Sequence, residues 1–329
     1  MHCELVVPDL FALPPGERFP ALELLLRRGR ETHREGRTLE QWLAEAFGTA
    51  QPLPAGALTA HSIGLAAGAA LWARADPVHL RLLRDRLILA PHGAFDIAAD
   101  EARLFCEALN RHFGGALEFR VALPHCWVVR LDAAPGIDAP CPLDMAGRDV
   151  DVIVPRGAAA GGYQRLLNEA QMVLHAHPAN EAREARGEPA VNSVWLWGAG
   201  SLPGTLTSPW QVVLGDDPVI SGLARCAGAR ARAPGASASA WLDRAPEEGR
   251  QLAVLDALRV PFALSQEAEY RARLQGLERD WFAPLLAALR SGRIGMVTLH
   301  VPEAGASFET IRGDLRRFWR RARALESYA

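Results

Sequence analysis

Residues 177–200 read HPANEAREARGEPAVNSVWLWGAG, and the rest of the chain is best read outward from them. Asn180 to Arg186 is polar and compatible with a helix, Gly187 and Pro189 break one, and Val191 to Trp197 is a short apolar run rich in β-formers. Gly198 and Gly200 let the backbone turn at the strand's carboxyl end, the place where open α/β sheets put ligands. Trp195 and Trp197 alternate with Leu196 as packed strand residues do. The stretch is expected to be a hinge between two domains.

On the amino-terminal side of the hinge, Glu4 to Pro8 reads as a short buried strand with Asp9 at its carboxyl end. Phe19–Leu26 and Leu39–Phe47 carry apolar residues at helical spacing. Between them, RRGRETHREGR (27–37) reads as a solvated helix end, because Glu31 and Glu35 interleave with the arginines. QPLPAGALTAHSIGLAAGA (51–69) reads as a loop leading into a helix of small residues. Strands are expected at 71–73, 87–89, 117–121 and 126–131, and helices at 99–112 and 163–175. Beyond the hinge, strands are expected at 211–214, 252–254 and 294–300, helices at 219–227 and 274–290, and a loop at ARAPGAS (231–237). Alternating strands and helices favour a mostly parallel sheet with helices on both faces.

Composition is that of an ordinary globular protein. Apolar residues make up 49% and charged residues 22%, and the net charge of −2 gives no global electrostatic reason for binding nucleic acid or an anionic membrane. All 36 basic residues are arginine, which excludes a lysine nucleophile or Schiff base. The five cysteines, Cys3, Cys106, Cys126, Cys141 and Cys226, show no CxxC pair and suit reduced thiols in the cytoplasm. MHCELVVPDL does not read as a signal peptide, and no window reaches the roughly 18 apolar residues of a membrane span.

The wording of the hinge adds what composition does not. It resembles the segment of archaeal-type, 2,3-bisphosphoglycerate-independent phosphoglycerate mutases that leaves the cap domain and re-enters an alkaline-phosphatase-like core, where the pattern is approximately HPVN…R…G…PAN, a hydrophobic residue, then WLWG-x-G. LDMAGRDVDVIVPRG (143–157) resembles a cap element of the same family, and ARAPGAS resembles its VPGATG. The resemblance implies an α/β alkaline-phosphatase-like core formed by 1–69 and 190–329, with an inserted α+β cap domain at 70–189. It also implies two divalent metals, manganese or zinc, that activate a serine to take up and return a phosphoryl group.

Matched position by position, much of that chemistry is missing. Asp9 stands where the family has its first metal ligand, although Asp-Gly has become Asp9-Leu10. The family's Gly-Ser-Asp-x-Ala-His falls on Gly56 to His61, so the serine is Ala57, which has no oxygen to accept a phosphoryl group. Thr59 and Ser62 are nearby hydroxyls that would have to shift to take its place. His300 to Ala306 match the family's next metal loop, with Pro302 and Ala306 at the Asp and His positions, while Glu303 and His300 remain. A later ligand strand has no match, so the core reads as C-terminally truncated, its sheet edge left to the arginine-rich helix expected at 312–329 or to a partner.

The resemblance therefore implies a degenerate relative, close to the bacterial family of RpfE-type regulatory proteins. No catalytic residue and no metal or other cofactor is expected, and a metal-dependent mutase or phosphotransferase with a displaced nucleophile is the alternative. Asp9, His61, Ser62, His300 and Glu303 are the expected remnant pocket. His125, Asp144, Asn180, Arg183 and Asn192 are candidate contacts for a small phosphorylated ligand between domains, although Asn180 and Asn192 read first as caps or ties of the hinge backbone. Arg312, Arg316, Arg317, Arg320, Arg321 and Arg323, beside Phe318 and Trp319, read first as a solvated face, and otherwise as a docking surface for an acidic protein or nucleic acid.

Overall fold

The computed structural model describes residues 1–12, 16–83, 86–133, 139–149, 161–244, 249–321 and 323–328. Two compact units emerge, Met1–Thr49 with Thr205–Ala329, and Ala50–Gly204.

The first unit contains β1 (His2–Val6), α1 (Pro20–Arg28), β2 (Arg30–His33) and α2 (Leu39–Phe47). The second comprises α3 (Ala55–Ser62), β3 (Leu71–Leu83), β4 (Arg86–Ala90), α4 (Ala99–Phe113), β5 (Glu118–Leu123), β6 (Cys126–Leu131), α5 (Gly161–His175), α6 (Pro178–Ala185) and β7 (Ser193–Gly200). The chain then returns to the first unit with β8 (Val212–Leu214), α7 (Pro218–Cys226), β9 (Arg230–Arg232), α8 (Ala238–Arg244), β10 (Arg250–Val254), α9 (Arg259–Ala263), α10 (Glu267–Leu277), α11 (Ala283–Ser291), β11 (Met296–Val301) and β12 (Ala306–Ile311). No helix among the described residues is long and apolar enough to cross a membrane.

The sheet of the first unit runs β2-β12-β11-β1-β10-β8-β9. The strands from β11 to β9 are parallel, and β12 and β2 are added antiparallel. Alternation along the strands sends Cys3, Leu5, Val297, Leu299 and Phe308 to one face, where they share a core with α1, α8, α10 and α11. The helix expected at 274–290 is one helical run from α10 to α11, joined by a π-turn at Glu278–Phe282. Pro284 just after the turn supplies no backbone N–H to continue the regular ladder.

Four expectations are corrected. The WLWG strand does not enter the core sheet: β7 pairs antiparallel with β3, with Ala75 opposite Leu196, inside the second unit. The small-residue helix α3 lies there as well, where a Cβ on Gly56 would meet the backbone of Ala73 at 2.3–2.5 Å. The junctions consequently fall at 49/50 and 204/205 rather than at 69/70 and 189/190. Of the run 27–37 only Arg27 and Arg28 are a helix end, closing α1; its centre is β2, a short strand of exposed RETH paired with β12, and its charge suits a sheet edge.

The sheet also continues past β11 where the sequence suggested an abrupt edge. Nor is 312–329 a helix: the described residues form short 3-10 turns at Arg312–Arg316 and Leu325–Ser327 with irregular chain between. The arginines explain it. Arg320 donates to the Gly29 carbonyl at 3.0 Å, Arg317 to that of Arg28 at 3.3 Å, and Arg28 donates to the Arg320 carbonyl at 3.0 Å, so this segment is laced to the carboxyl end of α1. Tyr328 stacks on Phe11 at 5.6 Å, while Phe318 and Trp319 stay exposed.

Candidate functional site

In the first unit, the loops leaving the parallel strands carry the titratable groups. Val6 pairs with Val254 on one side and His300 on the other, so Asp9, Asp256 and Glu303 leave the sheet from adjacent strand ends, and Asp216 and Asp217 follow β8 beside them. Asp9 takes the left-handed conformation at φ 59°, which Asp tolerates better than most residues, and its N–H donates to Glu303 Oε2 at 3.0 Å. Tyr270 Oη donates toward the carbonyls of Asp9 and Leu10 at 2.6 and 2.9 Å, fixing the loop from below.

Asp256, which the sequence reading missed, is strongly perturbed. Burial first, then the charges of Asp217 and Asp216, push its carboxyl up to about 6, with Arg259 pulling the other way. Arg259 in turn donates to Glu40 Oε1 at 3.0 Å. Because the folded-state value lies above the ordinary 3.8, the cost of ionising Asp256 is absent below about pH 4, grows as pH rises, and is complete above about 6. Asp256→Asn is expected to raise stability at pH 7.5 by on the order of 2 kcal/mol and to leave it unchanged at pH 4. Urea unfolding at both pH values tests this, and an equal effect at the two would refute it.

The expected metal loop is a hairpin turn. Pro302 to Gly305 join β11 to β12, the Pro302 carbonyl accepts from Gly305 and Arg37 at 2.9 and 3.0 Å, and Ala306 opens β12 opposite Val301 and His33. A side chain at Gly305 would lie 2.1 Å from the Arg34 carbonyl, so the turn is locked against the loop after β2. Among the described residues no group of three or more His, Cys, Asp or Glu is placed to hold a metal ion. The donor set does not fit the two-metal centre of the resemblance, since Pro302 and Ala306 offer no ligand atom.

His300 belongs to a different arrangement. It sits on the sheet face opposite the core, its Nδ1 2.8 Å from Ser307 Oγ and its Nε2 3.5 Å from Glu4 Oε2, with Trp42 against its ring at 5.1 Å. Glu4 is buried in β1, yet its carboxyl is held down at about 2. Burial alone would raise it, but the hydrogen bonds of His300 and Arg250 and the charges of His2 and Arg250 outweigh that effect. His300 and Ser307 open on a groove of about 390 Å³, lined also by Arg30, Arg34, Arg37, Trp42, Glu45 and Glu309.

The second unit holds the other expected residues. Ala57 is fully buried in a cluster with Ala60, Ala67, Trp72 and Val128. Thr59 is fully buried too, and Ser62 Oγ donates to the Thr59 carbonyl at 2.7 Å, while His61 is half-buried at the end of α3. His125, at the turn between β5 and β6, stacks on His92 at 4.7 Å, and Asp144 lies in a 3-10 turn at Pro142–Met145. Part of the 143–157 run lies outside the described residues.

Asn180, Asn192 and Arg183 are occupied in tying the chain of the second unit together. Asn180 Nδ2 donates to the carbonyls of Leu174 and Val191 at 2.7 and 2.9 Å, and its Oδ1 accepts from Val191 at 2.8 Å. Asn192 makes the same two-way bond with Leu80, at 2.7 and 2.8 Å. Arg183 serves Pro189, Glu101 and Asp96.

Sequence reasoning missed Asp216, Asp217, Asp256, Glu4 and Ser307. A signal existed for the acids, because VVLGDD (212–217) and LAVLD (252–256) each put Asp directly after a short buried strand. None existed for Ser307, whose partner is set by strand pairing.

This geometry defines a mixed α/β protein with a parallel-rich sheet whose polar residues gather at the strand ends and on one sheet face. No protein-family model matches the chain. Over 151 residues it is 32% identical to a probable 2,3-bisphosphoglycerate-independent phosphoglycerate mutase of Geobacter sulfurreducens, a match covering 44% of this chain and 37% of that relative. Over 129 residues it is 29% identical to the corresponding mutase of Methanosarcina barkeri, covering 36% and 32%. The matches thus span about a third of the length of these curated relatives. The solved structure of the PH0037 protein from Pyrococcus horikoshii shares the fold, with a TM-score of 0.57 over 94% of this chain and 87% of that one at 14% identity. The chain is therefore related to the cofactor-independent phosphoglycerate mutases.

Proposed function

We propose that this protein is a relative of those mutases that has lost their metal-dependent phosphoryl transfer and acts as a binding or regulatory protein, of the kind the RpfE-type resemblance implies. The observation that carries the reading is Ala57. The position matched to the mutase serine has no side-chain oxygen and lies wholly within an apolar cluster. The nearest hydroxyls do not replace it, because Thr59 is buried and Ser62 is bonded back to its own helix. Pro302 and Ala306 in a tight hairpin support the same reading. Its partner is a protein or a small phosphorylated ligand, and no cofactor is needed. Free thiols at Cys3, Cys106, Cys126, Cys141 and Cys226 favour a cytoplasmic setting.

The test is metal analysis of the purified protein after addition of manganese or zinc, coupled to a mutase assay on 3-phosphoglycerate. The expected result is no turnover and far less than one metal per chain. Near-stoichiometric metal together with turnover abolished by Ser62→Ala would establish the displaced-nucleophile enzyme instead.

A further inference from the structure

We propose that Ser307, His300 and Glu4 form a metal-free nucleophilic relay on the groove of the first unit, one that acylates its serine from small anionic esters. The three side chains come from adjacent strands and share one face of the sheet. Ser307 and His300 are direct cross-strand partners of β12 and β11, and Glu4 lies on β1, whose Val6 pairs with His300. Ser307 Oγ is 2.8 Å from His300 Nδ1, within range for proton transfer, and His300 Nε2 faces Glu4 Oε2 at 3.5 Å. The reactive tautomer has its proton on Nε2, toward the carboxylate, leaving the Nδ1 lone pair for the serine.

The supports of this relay are rigid. Glu4 is 2% exposed and receives Arg250 Nε at 2.7 Å, so a buried anion stands ready to stabilise the imidazolium. Trp42 against the imidazole limits its rotation. Ser307 and His300 both line the groove of about 390 Å³, a volume suited to a small molecule. Its charged lining is Arg30, Arg34 and Arg37 against Glu45 and Glu309; Arg34 and Arg37 are both paired with Glu45, which leaves a surplus of one positive charge and a modest preference for an anionic substrate.

The chemistry closes without metal or cofactor. Ser307 Oγ attacks the ester carbonyl carbon as its proton passes to His300 Nδ1. The bond to the alkoxide then breaks and the alkoxide leaves with that proton. Water next gives a proton to His300 and adds to the acyl carbon, and Ser307 departs with the proton, releasing the acid. This goes beyond loss of phosphoryl transfer and is tested apart from it, because every step proceeds in the presence of a chelator.

The experiment is labelling of the full chain by a fluorophosphonate probe in EDTA, followed by peptide mass spectrometry, with circular dichroism and melting curves to establish that each variant is folded. In this reaction Ser307 Oγ bonds to phosphorus and fluoride leaves. One adduct on Ser307 is expected, lost in Ser307→Ala and formed at least tenfold more slowly in His300→Gln. In folded Glu4→Gln the maximal labelling rate at saturating probe is expected to fall severalfold while the half-saturating probe concentration stays unchanged, a split that loss of groove shape would not produce. Absence of an adduct on Ser307 in the folded wild type, or labelling undiminished in folded His300→Gln, would overturn the proposal and leave the 2.8 Å contact as a cross-strand hydrogen bond.

Discussion

Replacing Arg183 by alanine is expected to lower stability by about 3–4 kcal/mol, the largest loss among the substitutions considered for this chain. Arg183 is 1% exposed, yet each of its nitrogens has an acceptor. Nε donates to the Pro189 carbonyl at 2.8 Å, Nη1 to Glu101 Oε2 at 2.6 Å and Nη2 to the Asp96 carbonyl at 2.7 Å, and the guanidinium lies over the Phe95 ring at 5.9 Å. One side chain thus joins α6, the chain just before β7 and the start of α4. Removing it leaves two carbonyls without their donor and a cavity beside Phe95, while Glu101 retains the Ala98 N–H and the exposed Arg186. Lysine would not rescue the site, because a point charge does not serve three acceptors in a fork. Acid should narrow the deficit. Although burial opposes it, the Ala98 N–H and the two arginines hold the Glu101 carboxyl below its ordinary value, so their stabilisation is present above the ordinary carboxylate range and is lost as pH falls. Chemical unfolding at pH 7 checks the magnitude, and a loss under about 1 kcal/mol would show that the network contributes little.

Glu4→Gln is expected to cost about 2–3 kcal/mol at pH 7. Glu4 is enclosed in β1 between Leu252 and Thr298 on the neighbouring strands, with its carboxyl at about 2 rather than 4.5. A folded-state value below the ordinary one means that the anion stabilises the fold above about pH 4.5 and ceases to do so as pH falls toward 2. Glutamine keeps the shape and a carbonyl for Arg250, so the loss reports the charge. The gap between wild type and variant should therefore close on acidification, as unfolding midpoints across that range would reveal. A gap independent of pH would mean that the cost is one of packing.

The two carboxylates of the first unit oppose each other in sign. Glu4 is ionised at the expense of its neighbours' freedom and stabilises the sheet, whereas Asp256, crowded by Asp216 and Asp217, weakens it near neutral pH. Both lie in apolar strands or just beyond them, and neither announces itself in composition. Glu4 in CELVV reads as one polar letter in a buried strand, and nothing local gives the identity of its partners 246 and 296 residues away.

Legibility followed the range of the interaction. Leu39–Phe47 was readable to the residue because Thr38 and Gln41 cap its start and Gly48 at φ 65° ends it, all within a few positions. The helix at 99–113 was equally clear from its apolar spacing. RETH was not readable as a strand, since an edge strand has no buried face and its charged letters obey no alternation until β12 lies beside it. The arginine-rich segment failed as a helix for a related reason, because its guanidiniums find distant acceptors on α1. That Ala57, Pro302 and Ala306 carry no hydroxyl, carboxylate or imidazole was legible at once, since that is a property of the letter itself.

The WLWG strand marks the boundary between the two kinds of knowledge. By itself the sequence determined that a strand lies in 191–197, although the structure runs it from Ser193 to Gly200, that the chain alternates strands and helices around a parallel-rich sheet, and which side chains are available for chemistry, because propensity and periodicity act over neighbouring residues. Only the tertiary structure decided that this strand joins β3, that Asn180 and Asn192 tie backbone together, and that His300 faces Ser307 and Glu4. Strand partners and buried charge pairs are chosen by surfaces that meet across hundreds of residues, and no local pattern encodes which surface will be met.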